Sequence, residues 1–214
     1  MPVTKLFLVR HGQSAGNAEG RFGGHSPTPL SGLGEKQAET TAKTLAKEKI
    51  EAIYSSDLPR AVETAAPLAR ALDLEIRQTD AFRERSVGQM ENLTFEEAAQ
   101  KFPDEYAALL RRDFEHVLSG GESYRQLLDR AASELDRAIA DNRGGTIALF
   151  SHTGTICILA LHLMGALDAP ALRPVWLATA NCGVARIQLR TDGFVRIDAI
   201  NDTRHLASLQ EVES

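Results

Sequence analysis

The 214-residue chain is expected to fold as an α/β protein, a three-layer sandwich with a mostly parallel central sheet flanked by helices. Two observations carry that reading. Short apolar, β-branched segments alternate with longer segments whose apolar residues recur at helical spacing. Two of the short segments also end in a histidine beside a polar, glycine-containing turn. That is where ligands meet an open sheet.

The elements follow in order. Residues 5–9 read as a buried strand stopped by a polar turn. Residues 15–33, rich in Gly, Pro, Ser and Asn, read as a long loop, more often functional than structural. Ala38, Thr41, Ala42, Leu45 and Ala46 mark a helix, and Ile50 to Tyr54 a second strand. Ser55, Ser56 and Asp57 offer N-cap residues, with Pro59 suited to the first turn of a helix striped by Ala61, Ala65, Leu68 and Leu72. A short strand is expected at 74–78 and two helices over 94–116, broken near Pro103. Gly120 and Gly121 interrupt the chain before an amphipathic helix at 122–141. Thr146 to Phe150 forms a strand running into Ser151-His152-Thr153-Gly154 and another helix. Strands at 183–189 and 194–200 precede a loosely held tail, 205–214. The helical stretch at about 90–140 is too long for a simple crossover and is read as a cap inserted into a single domain spanning 1–214.

Composition narrows the function. Apolar residues make up 43% and charged residues 25%, as in soluble globular proteins. The net charge of −5 shows none of the basic excess of generic nucleic-acid binders, so no nucleic-acid partner is expected. The apolar runs at Leu6–Val9 and Ile156–Met164 fall far short of the roughly 20 residues that span a bilayer. The first is also too short for a signal peptide, so no membrane partner is expected. Two isolated cysteines, Cys157 and Cys182, support neither a disulfide framework nor a cysteine-based zinc site. A cytoplasmic, reducing setting is the default.

The strand ends carry the chemistry. Arg10 and His11 follow one strand, His152 a second, and Arg60 lies shortly after a third, so all four can converge at one end of the sheet. Arginine forks match phosphate oxygens, and helix N-termini after Gly12, Asp57 and Gly154 would add amide donors. A neutral imidazole there is a nucleophile. Phosphoryl transfer asks mainly for positioning and charge stabilisation, with a carboxylic acid to protonate the leaving oxygen.

These residues give the chain a resemblance to the histidine phosphatase superfamily, the phosphoglycerate-mutase-like proteins. The motifs are Leu8-Val9-Arg10-His11-Gly12-Gln13-Ser14 with Asn17, Ser55-Ser56-Asp57-Leu58-Pro59-Arg60-Ala61 with Thr64-Ala65, Phe82-Arg83-Glu84, Gly120-Gly121-Glu122-Ser123 and Ser151-His152-Thr153-Gly154. They occur in the family's order over residues 6 to about 190. The resemblance implies that His11 becomes phosphohistidine and that Arg10, Arg60 and His152 hold the phosphoryl group. It makes Glu84 the general acid, Asn17 a phosphate contact and Gly154 an amide donor. Arg85 is a further candidate for substrate binding. The scheme needs no metal or other cofactor.

The same resemblance separates branches. Mutases follow the acid with Glu-Arg-His-Tyr-Gly, where this chain has Glu84-Arg85-Ser86-Val87-Gly88. The segment from Arg111 to Ser119 lacks the mutases' proline-rich stretch, and this shorter cap resembles the phosphatase branch. Met90-Glu91-Asn92 stands where many of those phosphatases have Trp-Glu-Gly. The expectation is a phosphomonoesterase acting on a small phosphorylated metabolite. A bisphosphoglycerate-dependent mutase is the alternative enzyme. An idle phospho-ligand binding module is the alternative of another class, although no motif residue is missing. Monomer and homodimer remain open.

Other polar residues are read structurally. His25, His116, His162 and His205 lack catalytic context, and His162 is expected in the core. Asp57 is expected to cap a helix, Cys182 to pack, and Arg83 and Arg111-Arg112 to be solvated or to reach substrate from the cap. Glu91, Glu96 and Glu97 are carboxylates near Glu84.

Overall fold

The computed structural model describes residues 2–167 and 175–210. Its strands are β1 (Val3–Arg10), β2 (Ala52–Ser56), β3 (Ile76–Thr79), β4 (Thr146–Ser151), β5 (Val184–Arg190) and β6 (Val195–Asp202). The helices are α1 (Ala15–Ala18), α2 (Gly32–Leu45), α3 (Pro59–Leu72), α4 (Phe95–Lys101), α5 (Pro103–Arg111), α6 (Tyr124–Asp141), α7 (Thr153–Leu163) and α8 (Ala207–Gln210). Short 3₁₀ turns join several of them. None of these helices is long and apolar enough to cross a membrane.

The sheet runs β3-β2-β4-β1-β5-β6. The first four strands are mutually parallel, and β5 and β6 add an antiparallel edge beside β1. β2 and β4 are buried throughout because helices cover both faces, which explains their continuous apolar runs. Successive side chains alternate between the layers. Leu6, Leu8, Tyr54, Ile147 and Leu149 pack on α6 and α7, through Leu127, Ala131, Leu135, Ile156 and Leu159. Phe7, Val9, Ile53, Ala148 and Phe150 pack on α2 and α3, through Ala42, Leu45, Ala65 and Leu68.

That alternation has a topological consequence. β1 and β4 are neighbours, with Arg10 opposite Ser151. The chain leaves β1 toward α2 on one face and leaves β4 into α7 on the other. Their carboxyl ends therefore open a crevice at the switch point of the sheet.

The cap expected at about 90–140 divides in two. α4 and α5 surround a cluster of their own: Val87, Met90, Ala98, Leu109 and Leu118. α6 instead lies against the sheet, because its apolar stripe matches the face of Leu6 and Leu8. A capping box closes its N-terminus, with Ser123 accepting from the Gln126 amide at 3.1 Å and Gln126 accepting from Ser123 at 2.9 Å.

Three local expectations are corrected. Asp57 does not cap α3: the N-cap is Leu58 without a side-chain bond, Ser55 and Ser56 lie within β2, and Arg83 clamps the Asp57 carboxylate through Nε at 2.7 Å and Nη2 at 2.5 Å. His162 is half-buried at the edge of α7, facing Asp136 at 3.8 Å, rather than in the core. The tail is held as far as α8, since Leu206 is buried and His205 Nε2 meets Thr41 Oγ1 at 2.9 Å; residues 211–214 lie outside the described chain. The 15–33 loop also carries α1, capped by Ser14.

Gly12 and Gly34 let the turn after β1 touch the start of α2. A Cβ on Gly12 would meet the Gly34 carbonyl oxygen at 2.7 Å, and one on Gly34 would run into the Gln13 carbonyl. Both obstacles are backbone, so neither yields cheaply. Gly34→Ala is expected to lower stability to urea by roughly 1–3 kcal/mol. Gly32→Ala, where nothing lies within 4 Å, should change it by less than about 1 kcal/mol. Equal effects would show that the close approach is not what Gly34 provides.

Candidate active site

The switch-point crevice collects the four residues expected at the strand ends. The His11 and His152 rings lie 5.1 Å apart at an angle of 58°. His11 is 4% exposed and His152 fully buried. Burial pushes both imidazoles well below the ordinary value of 6.5, and the nearby guanidiniums of Arg60 and Arg10 push in the same direction. Both rings are therefore neutral at physiological pH.

The hydrogen bonds set the tautomer of His11. Its Nδ1 lies 2.7 Å from the Gly12 carbonyl oxygen, which only accepts. Nδ1 therefore carries the proton and Nε2 keeps a free lone pair. His152 Nε2 meets the Ser56 hydroxyl at 2.9 Å, while its buried Nδ1 has no hydrogen-bond partner among the described residues.

Arg10 and Arg60 make their hydrogen bonds to backbone carbonyls. Arg10 Nη1 donates to the Thr179 carbonyl at 2.5 Å, and its buried Nε has no partner among the described residues. Arg60, in the first turn of α3, is 2% exposed. It donates from Nη1 to Ser26 and from Nη2 to Gly24, each at 2.8 Å. Desolvation lowers both guanidiniums, Arg60 to about 10, but both remain charged at physiological pH. Neutral carbonyls orient these cations without cancelling their charge, which favours an incoming anion.

Glu84 faces this floor from the segment after β3. Its Oε1 accepts from the Arg85 amide at 2.8 Å and its Oε2 from the Gly154 amide at 2.9 Å. The amide expected to meet phosphate at Gly154 thus meets Glu84 here. Among the described residues Glu84 is the carboxylate that lines the cavity. Glu91 instead accepts from the His25 amide at 3.0 Å, Glu96 from Gln100 Nε2 at 3.2 Å, and Glu97 completes the capping box of α4.

Sequence reading missed the residues that place this segment. Arg130, on α6, donates from Nη1 to Ala81 at 2.7 Å and to Arg83 at 3.0 Å, and from Nη2 to the Glu84 carbonyl at 2.9 Å. Ser151 Oγ donates to Phe82 at 2.7 Å and Thr155 Oγ1 to the Arg83 carbonyl at 2.8 Å. His25 Nε2 contacts the same Glu84 carbonyl at 2.9 Å, so this histidine has a structural place near the site. Ser56, which belongs to a family motif and offers itself in sequence as a cap residue, instead holds His152. None of these contacts has a short-range signal, since their partners lie 46 or more residues away.

A cavity of about 420 Å³ rises above the floor. Asn17 lines it. The Asn17 Oδ1 accepts from the Ser14 amide at 3.3 Å and from Asn181 at 3.1 Å, leaving its Nδ2 as the donor for a ligand. Arg85, 3% exposed, stacks 4.1 Å from the Tyr124 ring centre, and its Nη1 has no hydrogen-bond partner among the described residues. Arg112 stacks at 4.0 Å on Trp176 along the same wall, whereas Arg111 is exposed. Cys182 is buried and its thiol is pushed up to about 12, as expected of a packing residue.

Residues 6–203 match the family model of the histidine phosphatase superfamily, branch 1. A metal-independent phosphoserine phosphatase of Arabidopsis thaliana is 34% identical over 211 residues, covering 97% of this chain and 85% of that protein. Phosphoglycerate mutase-like protein 4 of the same plant is 38% identical over 156 residues, covering 71% and 67%. The structure of mycobacterial glucosyl-3-phosphoglycerate phosphatase complexed with VO3 superposes with a TM-score of 0.84 at 29% identity, covering 93% of this chain and 99% of that one. Shared over nearly its whole length, both in sequence and in the sheet that brings His11 to His152, this likeness makes the chain a member of the histidine phosphatase superfamily, branch 1.

Proposed function

We propose that the protein hydrolyses phosphate monoesters of small metabolites through a phosphohistidine on His11. The observation that carries the reading is a neutral imidazole with a free Nε2 beside two guanidiniums, Arg60 buried and Arg10 partly buried, bound to backbone carbonyls. The named activities of the relatives support it, since two of the three reported above are phosphatases.

In the first half-reaction the Nε2 lone pair attacks phosphorus, the N–P bond forms, and the bond to the leaving oxygen breaks. Arg10, Arg60 and His152 hold the equatorial oxygens, and Asn17 Nδ2 adds a donor. The Glu84 carboxyl gives its proton to the leaving alkoxide, completing the alcohol. In the second half-reaction the Glu84 carboxylate takes a proton from water as that water attacks phosphorus. The N–P bond breaks, returning neutral His11 and a protonated Glu84. Arg85 lines the wall where the alcohol leaves.

His11→Ala is expected to abolish phosphate release and acid-labile phosphoenzyme, with stability to urea nearly unchanged. Substantial retained turnover would remove His11 as the nucleophile. A bisphosphoglycerate-dependent isomerisation of 3-phosphoglycerate with little free phosphate would assign the protein to the mutase reading instead. Glu84→Gln should slow alkyl phosphates by about 100-fold or more, the usual scale of general acid catalysis. Aryl phosphates need less proton donation and should lose much less. Equal losses would exclude Glu84 as the acid.

The neutral histidines also set a pH dependence of stability. Their folded values lie well below 6.5, so as pH falls through 6.5 the unfolded chain takes up protons that the folded one does not. Stability contributed by the neutral rings is intact above that value and declines below it, by up to about 1.4 kcal/mol per pH unit for each histidine. Urea denaturation of the ligand-free protein from about pH 7.5 to 5.5 should show the loss. A His11→Asn/His152→Asn variant should show a shallower one. Identical slopes would mean that other groups govern the acid limb.

A further inference from the structure

We infer that the outer cavity is an apolar subsite for the leaving alcohol, so that the protein prefers monoesters of alkyl or aryl alcohols to those of small polyols. The inference rests on the phosphomonoesterase reading and names the substrate class of that same site. At about 420 Å³ the cavity falls in the roughly 300–1,000 Å³ range that houses whole ligands, far more than a phosphoryl group fills.

The two walls differ. Arg85 and Arg112, stacked on Tyr124 and Trp176, form one. The other is largely apolar: Phe22, Val87, Phe95, Tyr106 and Leu110 line it, with Arg21 beside Phe22 held by Glu19 at 2.6 Å. Phe22 sets its ring edge-on to Phe95 at 4.8 Å and to Tyr106 at 6.2 Å, joining them into one aromatic surface.

Phe95 and Leu110 are the unusual members. They are 50% and 60% exposed, on α4 and α5 respectively. The cap packs without them, since its buried cluster is formed by Val87, Met90, Ala98, Leu109 and Leu118. A single exposed leucine needs no explanation. Two large apolar side chains on adjacent helices that both line the cavity give exposed apolar surface of the kind that marks a ligand site. An apolar group attached to the bound phosphoryl oxygen would cover it and release its water.

The test is a homologous series of n-alkyl phosphates from propyl to hexyl. The alcohols differ little in acidity, so leaving-group chemistry is nearly constant and kcat/KM reports burial of the chain. Each methylene placed on the wall should raise kcat/KM by up to about fourfold. Phe95→Ser/Leu110→Ser should flatten that slope. Phe194→Ser, equally exposed at 53% but outside the cavity, should keep it. Inhibition by inorganic phosphate checks that the floor of each variant is intact. A flat series with phosphate released from every member would overturn the apolar subsite and leave the phosphatase standing. A slope that survives the double substitution would overturn its assignment to this wall. Release from no member, nor from an aryl phosphate, would overturn the phosphatase reading itself.

Discussion

Holding two guanidiniums, one buried and one partly buried, beside two buried imidazoles is the constraint on which the rest of this structure depends. A buried charge without compensation is expensive, and two like charges near each other are worse. The protein meets this in two ways. Arg10 and Arg60 are wrapped by the carbonyls of Thr179, Gly24 and Ser26, which solvate the cations without neutralising them. His11 and His152 stay uncharged, so the floor carries two positive charges rather than four. The long loop after α1 is therefore part of the electrostatics, because its backbone oxygens fix the Arg60 fork.

The same constraint explains the second ring of contacts. Glu84 hangs from a segment between β3 and the cap, which has little regular structure of its own. Arg130 gathers four carbonyls of that segment, and Ser151 and Thr155 tie it to the end of β4 and the start of α7. The strand that positions His152 thereby also positions Glu84. His11, the arginine floor and Glu84 are thus all placed relative to the β1–β4 register.

Much of this was legible in the sequence. Short-range signals placed the strands within a few residues, and the four floor residues followed from their positions at strand ends. The failures share a cause. Asp57 looks like a cap because it precedes a helix, yet its partner Arg83 lies 26 residues away. The Gly154 amide looks free because Glu84 is 70 residues distant. α6 was read as cap because local periodicity shows that a helix has an apolar face but not which layer it covers. His162 sits in an apolar helix, but side-chain exposure depends on what covers that turn, and there Asp136 is the neighbour.

The division of the packing also bears on how such a site changes its substrate. The floor stands on the two sheet clusters, while the cap has a small cluster of its own around Met90 and Leu109. Distant sites with no shared partners contribute nearly additively to stability. Substitutions on the cavity-facing side of α4 and α5 therefore act on the cavity wall without loosening the core beneath His11. Met90-Glu91-Asn92 illustrates the separation. Met90 belongs to the cap cluster, while Glu91 reaches back to the His25 amide and to the Ser26 hydroxyl at 3.4 Å, in the loop that grips Arg60. One tripeptide thus joins the cavity wall to the floor, and a change there reaches both the pocket shape and the loop that holds Arg60, whereas Phe95 and Leu110 belong to the wall.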